Sequence, residues 1–355
     1  MTFPRPLRLA YVPSSPDFSS ATDRRRVVRY ARQRGHHIEA PRDGVEYDAV
    51  VVPYFSDVSV WLRRPRGRTK IIFELSDSYL HVPRTDLASL VRGPVRYLLR
   101  QHRYLEWNTA HGLIQRMAER ADAVVCSTPE QRQKLLPFNR KVHAILDIHT
   151  GDVQVVKREY RRGPTLNLFW EGFGVNVHTL GVLAEPLRQL AAEIPLALHV
   201  MSDLKFRIRN SPLPSRRTDD LLRRLLPGVR TYVYQHNNLM LSVLATSMDL
   251  AVIPMGRESP LHWAKAENKL LLMWRMGIPT LTSPTPAYAR TMAAAGLDMT
   301  CESARDWVEA LRRYANDEGL REQAARIGRD YAEREHGEER ILERWDALFR
   351  DVLEG

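Results

Sequence analysis

Short, almost continuously apolar runs recur along this chain, and helical stretches separate them. The clearest examples are DAVVVPYF at 48–55, KIIFEL at 70–75 and ADAVVCST at 121–128. An uninterrupted apolar strand is typical of a parallel sheet that helices cover on both faces. The alternation of such strands with helices therefore predicts an α/β fold with doubly wound parallel sheets.

The alternation runs twice, with a polar stretch between the two runs. A length of 355 residues also suits two domains. We predict a Rossmann-like N-terminal domain over 1–150, a linker over 151–164, and a Rossmann-like C-terminal domain over 165–355 that includes closing helices after about 303. Two such domains would face a cleft. Further strands are predicted at 7–12, 141–147, 165–170, 196–202, 231–235, 249–255 and 278–284. Helices are predicted at 24–34 and over about 86–120, the second with one break near Asn108.

Charge is divided unequally between the two halves. Residues 1–160 hold 27 basic and 17 acidic side chains, whereas residues 161–355 hold 26 and 25, so the first half carries nearly all of the net charge of +11. This asymmetry indicates an anionic partner for the first half. The alternative is a solvated, arginine-rich surface without a partner.

Three clusters hold most of this charge, within 24–34, within 63–70, and at spacings of three or four residues from 92 to 103. Arg92, Arg96, Arg100 and Arg103 are expected to form a stripe on the helix over 86–120. A basic amphipathic helix can lie on an anionic membrane surface or follow a polyphosphate backbone.

Several common site signatures are absent from the sequence. There is no GxGxxG, GxxxxGKS/T, HExxH or GxSxG motif, which argues against classical dehydrogenases, P-loop ATPases, zincins and α/β-hydrolases. Cys126 and Cys301 match no disulfide or zinc pattern. No apolar run reaches the roughly 18 residues that span a bilayer, and the N-terminus lacks the apolar core of a signal peptide. We therefore expect a protein of the reducing cytoplasm.

A strand end, two glycines and a helix start follow each other in WEGFGVNV at 170–177. Gly172 and Gly174, on either side of Phe173, would let a ligand come close to the backbone. The helix expected to start near Asn176 would offer free N–H groups to a diphosphate. The alternative is a structural turn in which Asn176 is a plain N-cap.

A second motif is KAENKLLLMWRMGIPTLTSP at 265–284. We expect a helix to open near Lys265 and to end at Gly277. Lys265 and Lys269 are four residues apart, so they would share one helix face beside Asn268. Two cations at the start of a helix are unfavourable against its dipole, and an anionic ligand would relieve this. A solvated charged face is the alternative.

These motifs resemble those of the GT-B glycosyltransferases. KxxNKL at 265–270, continued by GIPTLTSP at 277–284, is similar to the donor-binding helix and strand of that superfamily. The resemblance runs from about Leu7 to Leu353 and is loose in the first 60 residues. Three further segments resemble elements of the superfamily. DLAVIPM at 249–255 resembles the segment before the donor helix, and 120–135 resembles the last βα unit of the N-terminal domain. The stretch 306–345 resembles the closing helices.

The resemblance implies a transferase that takes a nucleotide-diphosphate sugar, UDP- or GDP-linked, as co-substrate and needs no bound metal. The donor would bind the C-terminal domain and the acceptor the N-terminal domain. The implied donor-binding residues are Gly172, Phe173, Gly174, Asn176, Lys265, Glu267, Asn268 and Lys269.

Two features depart from the retaining members that resemble this chain. The region 171–182 lacks their Arg/Lys pair, and Leu272 stands where those proteins carry a ribose-binding Glu. Glu267 is then the only acid on the expected donor helix. Retaining and inverting chemistry both stay open.

An inverting transfer needs a base that deprotonates the acceptor hydroxyl. Such a base should lie at the carboxyl end of a strand in the N-terminal domain. Asp77, which follows KIIFELS, fits this place, and Asp17, in the loop after the first strand, is the second candidate. A turn or N-cap role is the alternative for Asp77.

We therefore predict a cytoplasmic glycosyltransferase, peripheral on the inner face of the membrane, that acts in cell-envelope polysaccharide or glycolipid synthesis. Its anionic acceptor would be a lipid-linked glycan. One alternative is a phage-type enzyme that glycosylates DNA at a hydroxylated base. A second alternative is a degenerate GT-B subunit that binds without catalysing.

Overall fold

The computed structural model describes residues 3–82, 92–207 and 215–354. The chain divides into two compact units. Within the described ranges, none of the helices combines the length and the hydrophobicity that crossing a bilayer requires. Unit 1 comprises Met1–Ile148, Ala264–Ala266 and Gly337–Gly355, and unit 2 comprises His149–Trp263 and Glu267–His336.

Unit 1 is built on a six-stranded parallel sheet with the order β2-β1-β3-β4-β5-β6. Its strands are β1 Arg8–Tyr11, β2 His37–Glu39, β3 Ala49–Pro53, β4 Lys70–Leu75, β5 Ala123–Cys126 and β6 Val142–Ala144. Its helices, numbered along the whole chain, are α1 Ala21–Arg24, α2 Val27–Gln33, α3 Val58–Arg63, α4 Arg92–Leu98, α5 Ala110–Arg120, α6 Pro129–Leu135 and α15 Glu338–Leu353.

Unit 2 is built on a five-stranded parallel sheet with the order β11-β8-β7-β12-β13. Its strands are β7 Leu166–Glu171, β8 Leu196–Ser202, β11 Arg230–Gln235, β12 Leu250–Ile253 and β13 Thr280–Thr282, with a small hairpin of β9 Lys205–Phe206 and β10 Arg216–Arg217. Its helices are α7 Ala184–Ala191, α8 Thr218–Leu225, α9 Asn238–Thr246, α10 Pro260–Trp263, α11 Asn268–Arg275, α12 Pro286–Ala295, α13 Ala304–Asn316 and α14 Glu318–His336.

Burial of the strands on both faces of the sheet explains why they appear in the sequence as continuous apolar runs. In β3, Ala49 and Val51 pack into one core of unit 1, and Val50 and Val52 pack into the core on the opposite face. Side chains of a strand alternate between its two faces, so nearly every position of a strand covered on both sides is apolar. The prediction of an α/β fold with two doubly wound parallel sheets is confirmed.

The last helix, α15, belongs to unit 1, although the sequence analysis placed it within 165–355. Trp345 and Phe349 are fully buried in the same core as Tyr30 of α2. The ring centroid of Tyr30 lies 5.9 Å from that of Trp345 and 5.2 Å from that of Phe349. Apolar periodicity predicted this helix, but periodicity carries no information about which sheet a helix covers.

The arginine cluster of α2 is partly used inside unit 1. Arg34 pairs with Asp346 of α15 at 2.8 Å, and Arg29 pairs with Glu338 at 2.8 Å. The Tyr30 hydroxyl also donates a hydrogen bond to Asp346 at 3.0 Å. These arginines fix α15 to α2, so part of the cluster within 24–34 is used for packing inside unit 1.

The helical stretch expected over about 86–120, with one break near Asn108, is interrupted over 99–109, which is a longer break than expected. Residues 83–91 lie outside the described residues, α4 ends at Leu98, and Arg100 has a left-handed φ of 54°. An irregular segment then leads to α5, where the Thr109 hydroxyl is the N-cap and accepts a hydrogen bond from the Gly112 N–H at 2.9 Å. The expected arginine stripe is therefore wrong, because Arg100 and Arg103 lie beyond the end of α4.

The expected linker, 151–164, packs on unit 2 as an extended segment. The Lys157 N–H donates to the carbonyl of Met276 at 2.8 Å, and the Tyr160 hydroxyl donates to the carbonyl of Gly277 at 2.9 Å. The buried guanidinium of Arg321 donates to the carbonyl of Tyr160 at 3.0 Å through Nε. This segment is polar in composition because its backbone and side chains are used for hydrogen bonds to unit 2.

Candidate functional site

The strand order reverses once in each sheet, between β1 and β3 in unit 1 and between β7 and β12 in unit 2. In open parallel sheets, the loops on the two sides of such a reversal diverge at the carboxyl edge and leave a crevice for ligands. The turn Gly172–Phe173–Gly174 directly follows β7. The structure therefore places the glycine motif at the reversal point of the second sheet.

Close packing explains why both positions of this turn are glycine. A Cβ at Gly172 would come within 2.7 Å of the Trp170 ring and 3.1 Å of the Lys269 ammonium, and a Cβ at Gly174 would come within 2.6 Å of Phe206. The N–H of Gly174 is used inside unit 2, where it donates to Asp203 Oδ2 at 2.9 Å. The Gly174 N–H is therefore not available to bind a ligand at this turn, and a ligand there would have to contact other backbone groups.

The helix after the turn differs from the expectation. Gly174–Leu183 is a 3₁₀ helix with Phe173 at its N-cap, and Asn176 lies inside its first turn. The Asn176 carbonyl accepts a hydrogen bond from the Thr179 hydroxyl at 2.9 Å. Asn176 is thus not the N-cap residue, and the exposed Phe173 stands at the helix start instead.

Lys269, in the first turn of α11, lies beside the glycine turn. Its ammonium is 4.9 Å from the centroid of the Trp170 ring, and it donates a hydrogen bond to the carbonyl of Glu171. One Glu171 carboxylate oxygen is 4.0 Å from the ammonium. The structure thus brings the glycine motif and the lysine motif together, although about 95 residues separate them in the sequence.

The other residues of the lysine motif take different places. The helix begins at Asn268, so Lys265 precedes it and does not share a helix face with Lys269. Lys265 belongs to unit 1, in the segment Ala264–Ala266. The expected start near Lys265 is therefore wrong, and Asn268 is the first helical residue.

Glu267 and Leu272 are both built into the interior of unit 2. Glu267 is 2% exposed, and its carboxylate pairs with Arg290 at 3.0 Å and accepts from the Thr291 hydroxyl at 3.3 Å. Leu272 packs in a buried core cluster with Phe169. The position expected for a ribose-binding acid is thus occupied by a core leucine.

Glu171 and His236 are site residues that the sequence analysis missed. Glu171 ends β7 and His236 follows β11, and His236 Nε2 is 3.3 Å from Glu171 Oε1. Their position is the signal that could have indicated them, since each stands where a parallel strand ends. Together with Lys269 they form a cluster of ionisable side chains at the carboxyl edge of the second sheet.

Replacing Glu171 with Gln should strengthen the binding of a diphosphate at this edge. The substitution removes a negative charge 4.0 Å from the Lys269 ammonium while keeping the shape of the side chain. Because the pair is partly solvated, we expect the Kd of inorganic pyrophosphate to fall by up to about fivefold. Isothermal titration measures this.

Glu185→Gln, which removes an exposed carboxylate of the same unit from its pair with Arg188, is the matched control and should leave the Kd unchanged. An unchanged or weaker affinity in the Glu171 variant alone would show that Glu171 does not compete for Lys269.

In unit 1, Asp77 lies just beyond the carboxyl end of β4. Its backbone is fixed, because its carbonyl accepts from Gln131 Nε2 at 2.8 Å and from the Tyr79 N–H at 2.9 Å. The next residue, Ser78, donates its hydroxyl to the carbonyl of Ala264 at 2.7 Å. Among the described residues, the Asp77 carboxylate itself has no hydrogen bond or ion pair, so it is available to a ligand.

Asp17 lies in the loop after β1, at the reversal point of the first sheet, and is exposed. It accepts a hydrogen bond from the Ser19 N–H at 3.1 Å, and the hydrogen bonds from Ser19 lower the pKa of Asp17. A carboxylate with a lowered pKa is a weaker base. The local geometry of Asp17 is that of a residue that stabilises its own turn.

A buried aspartate, Asp23, shapes the loop that contains Asp17. Its carboxylate accepts from the N–H groups of Ser14 and Ser15 at 3.0 and 2.9 Å, and from the Tyr11 hydroxyl at 2.9 Å. Burial raises the pKa of Tyr11, so its hydroxyl stays protonated and acts as the donor. Asp23 therefore fixes the conformation of the backbone at the reversal point.

A buried ion-pair network joins three elements near the same edge of unit 1. Arg26 pairs with Glu74 of β4 at 2.6 Å and with Asp147, beyond β6, at 2.9 Å. Burial by itself lowers the pKa of Arg26, but the charges of Glu74 and Asp147 outweigh it and the pKa is raised. A charged residue inside the apolar run KIIFEL was the sequence signal for this network.

Comparison with family models gave no match, and comparison with curated proteins gave none either. Solved structures do match. A glycosyltransferase from Rickettsia africae aligns over 99% of this chain and 100% of its own, with a TM-score of 0.59 at 10% identity. WaaG, described as a glycosyltransferase involved in lipopolysaccharide biosynthesis, aligns over 98% and 100%, with a TM-score of 0.55 at 14% identity.

A third similar structure is a mutant of TarM from S. aureus, solved in complex with fondaparinux, alpha-GlcNAc-glycerol and UDP. It aligns over 85% of this chain with a TM-score of 0.58 at 9% identity. The match covers 55% of TarM, so this chain spans about half the length of that protein. At such low sequence identities, the structural similarity to these proteins shows the fold alone.

Proposed function

We propose, from the GT-B fold that this chain has, that it is a glycosyltransferase whose donor is a UDP- or GDP-linked sugar. The donor would bind at the carboxyl edge of the sheet in unit 2, and the acceptor would bind unit 1. The observation that carries the proposal is the position of Lys269, a cation beside a glycine turn at the strand reversal of unit 2.

The chemistry of transfer explains why this cation matters. The bond from the sugar to the diphosphate breaks, and negative charge develops on the leaving diphosphate. The Lys269 ammonium, which the glycine turn lets pack beside Gly172, would lie close to that charge. We propose that Lys269 supplies the positive charge that a bound metal supplies in other transferases.

Asp77 is the base that we propose for an inverting transfer. Its backbone is fixed by Gln131 while its carboxylate is unused within the described residues. It would take the proton of the acceptor hydroxyl as that oxygen attacks the sugar carbon. Asp17 is the weaker alternative, because Ser19 lowers its pKa.

The acceptor that we propose is a glycan or glycolipid of the cell envelope. Two of the similar structures support this choice, because WaaG is described as a glycosyltransferase involved in lipopolysaccharide biosynthesis and the TarM mutant was solved with alpha-GlcNAc-glycerol. The excess of basic residues in 1–160 favours an anionic acceptor. We propose that the protein works in the cytoplasm, at the inner face of the membrane.

A donor screen tests the proposal. Purified protein is mixed with UDP, GDP and their common sugar conjugates, and the melting temperature and the release of nucleotide are measured. A ligand at one hundred times its Kd should stabilise the protein by about 2.7 kcal/mol. We expect one nucleotide class to stabilise the protein and its sugar conjugate to be slowly hydrolysed.

Three other results have defined meanings. No stabilisation and no hydrolysis by any donor would overturn the proposal. Binding of a nucleotide sugar without turnover on any acceptor would indicate a degenerate, non-catalytic protein. Transfer to duplex DNA that carries hydroxylated bases, with binding that weakens steeply as salt rises, would assign the DNA acceptor instead.

A further inference from the structure

Helix α4 and the segment that joins it to α5 present a group of large apolar side chains to solvent. Leu98 is 77% exposed and Trp107 is 80% exposed. Isolated exposed apolar residues are common on proteins, but contiguous groups mark interaction sites. The exposed members of this group, which we call the 95–107 surface, are Val95, Tyr97, Leu98, Leu99, Tyr104 and Trp107.

Hydrogen bonds and ion pairs hold the inner side of this segment against α3. The Arg103 N–H donates to Asp57 at 2.7 Å, and the Tyr104 N–H donates to the Ser59 hydroxyl at 3.1 Å. Buried Glu106 forms ion pairs with Arg63 and with Arg116. The apolar side chains are thus exposed on a segment that is anchored along its length, not on a frayed loop.

Arg96 anchors the helix side of the same surface. It is buried and donates from Nη1 to the Tyr54 carbonyl at 3.2 Å and to His102 Nε2 at 3.1 Å. Burial and the charge of Arg96 lower the pKa of His102, so the neutral imidazole can accept. At Gly93, a Cβ would overlap the carbonyl oxygen of Glu106, so the close packing of α4 on the segment requires glycine there.

The exposed charges of the 95–107 surface are all positive. Arg100 and Arg103 are exposed and make no ion pair among the described residues, whereas the one acid, Glu106, is buried between two arginines. The Arg103 guanidinium also lies 5.7 Å from the centroid of the Tyr104 ring. The surface therefore combines aliphatic, aromatic and cationic groups without any exposed acid.

We propose that the 95–107 surface docks on an anionic lipid bilayer. Leu98, Leu99 and Trp107 would enter the boundary between headgroups and acyl chains, where aliphatic side chains lose contact with water and tryptophan is favoured. Arg100 and Arg103 would bind lipid phosphates. This concerns where the protein is held and does not depend on which donor it uses.

Other occupants fit this surface less well. A second copy docked face to face would bring Arg100 and Arg103 against their own counterparts, and like charges repel. A nucleic acid would pair with the arginines and stack on the aromatic rings, but it offers no apolar phase for Leu98 and Leu99. A bilayer with anionic headgroups satisfies all three kinds of side chain.

Vesicle co-sedimentation tests the proposal on the full chain. Vesicles of phosphatidylcholine alone are compared with vesicles of phosphatidylcholine and phosphatidylglycerol in equal parts. We expect binding to the anionic vesicles only, weakening as salt rises. The double variant Arg100→Ala/Arg103→Ala should bind about twenty-five-fold more weakly, since each arginine near the surface contributes about fivefold. Leu98→Ser/Trp107→Ser should bind at least tenfold more weakly.

The matched control is Leu239→Ser/Val243→Ser, which removes two exposed apolar side chains from α9 of unit 2. It should bind anionic vesicles as tightly as the unmodified protein. Circular dichroism and the nucleotide thermal shift confirm that each variant is folded, and they keep a failure of lipid binding distinct from a failure of the proposed function.

Three results would overturn the proposal: equal binding to neutral vesicles, full binding by both variants of the surface, or an equal loss of binding in the α9 control. A dimer in solution that Leu98→Ser/Trp107→Ser dissociates would assign the surface to a second copy instead. Tight DNA binding that Arg100→Ala/Arg103→Ala abolishes, without lipid binding, would assign it to nucleic acid.

Discussion

Trp345→Ala is expected to lower the free energy of unfolding of unit 1 by about 3–5 kcal/mol. The Trp345 side chain is completely buried, and its ring lies 5.9 Å from Tyr30 and 6.2 Å from Phe349, centroid to centroid. Its removal would leave a cavity between α15 and the sheet that the surrounding rigid elements can fill only in part. The loss would be a large fraction of the stability of a typical domain.

Urea denaturation and native-state hydrogen exchange measure this effect. Because the chain has two units, unfolding need not be two-state, and exchange resolves which unit loses protection. Amides of β1 and β3 should exchange faster in the variant, while amides of β7 and β8 should be unchanged. Trp107→Ala, the same substitution at a residue that is 80% exposed, is the control and should cost little. An equal loss of protection in both sheets would show that α15 does not stabilise unit 1 in particular.

Lys269→Met is expected to weaken nucleotide-diphosphate binding at least tenfold and to lower kcat/KM for transfer by about a hundredfold or more. The larger effect on turnover follows because the ammonium meets more negative charge on the departing diphosphate than on the bound donor. Methionine has a similar length and keeps contact with the Trp170 ring, so the substitution removes the charge and little packing.

Titration of the nucleotide that the donor screen identifies, followed by steady-state kinetics, measures both effects. Lys205→Met is the matched control, because Lys205 is an exposed lysine of the same unit, on the β9 hairpin. It should bind the nucleotide as the unmodified protein does. Unchanged affinity and turnover in Lys269→Met would contradict the assignment of Lys269 and, with it, the observation on which the proposed function rests.

Several elements could be predicted well from the sequence because their cause is local. The apolar runs at 48–55, 70–75 and 121–128 contain β3, β4 and β5 within two or three residues at each end. A parallel strand covered on both faces is apolar at nearly every position, and that requirement is visible in the sequence. The turn after β7 was predicted because two glycines follow the strand end, which is also a local pattern.

Other features could not be predicted, because they depend on residues distant in the sequence. Arg96 and Arg103 have helical spacing, but Arg96 is buried against the carbonyl of Tyr54 and the Arg103 N–H binds Asp57. Those contacts favour an irregular segment over a longer helix. Likewise, Glu267 was expected to face a ligand, and its ion pair with Arg290 places it in the interior.

The sequence by itself determined that this chain forms two doubly wound parallel sheets, since continuous apolar strands and intervening helices have few other stable arrangements. It also indicated two candidate segments, the glycine motif at 170–177 and the lysine motif at 265–284. Only the tertiary structure decided that Lys269 lies beside Gly172, that α15 covers the first sheet, and that Glu171 and His236 join the site. The physical reason is that periodicity and burial act over a few neighbouring residues, whereas a site at a strand reversal is assembled by contacts between strands that are far apart in the chain.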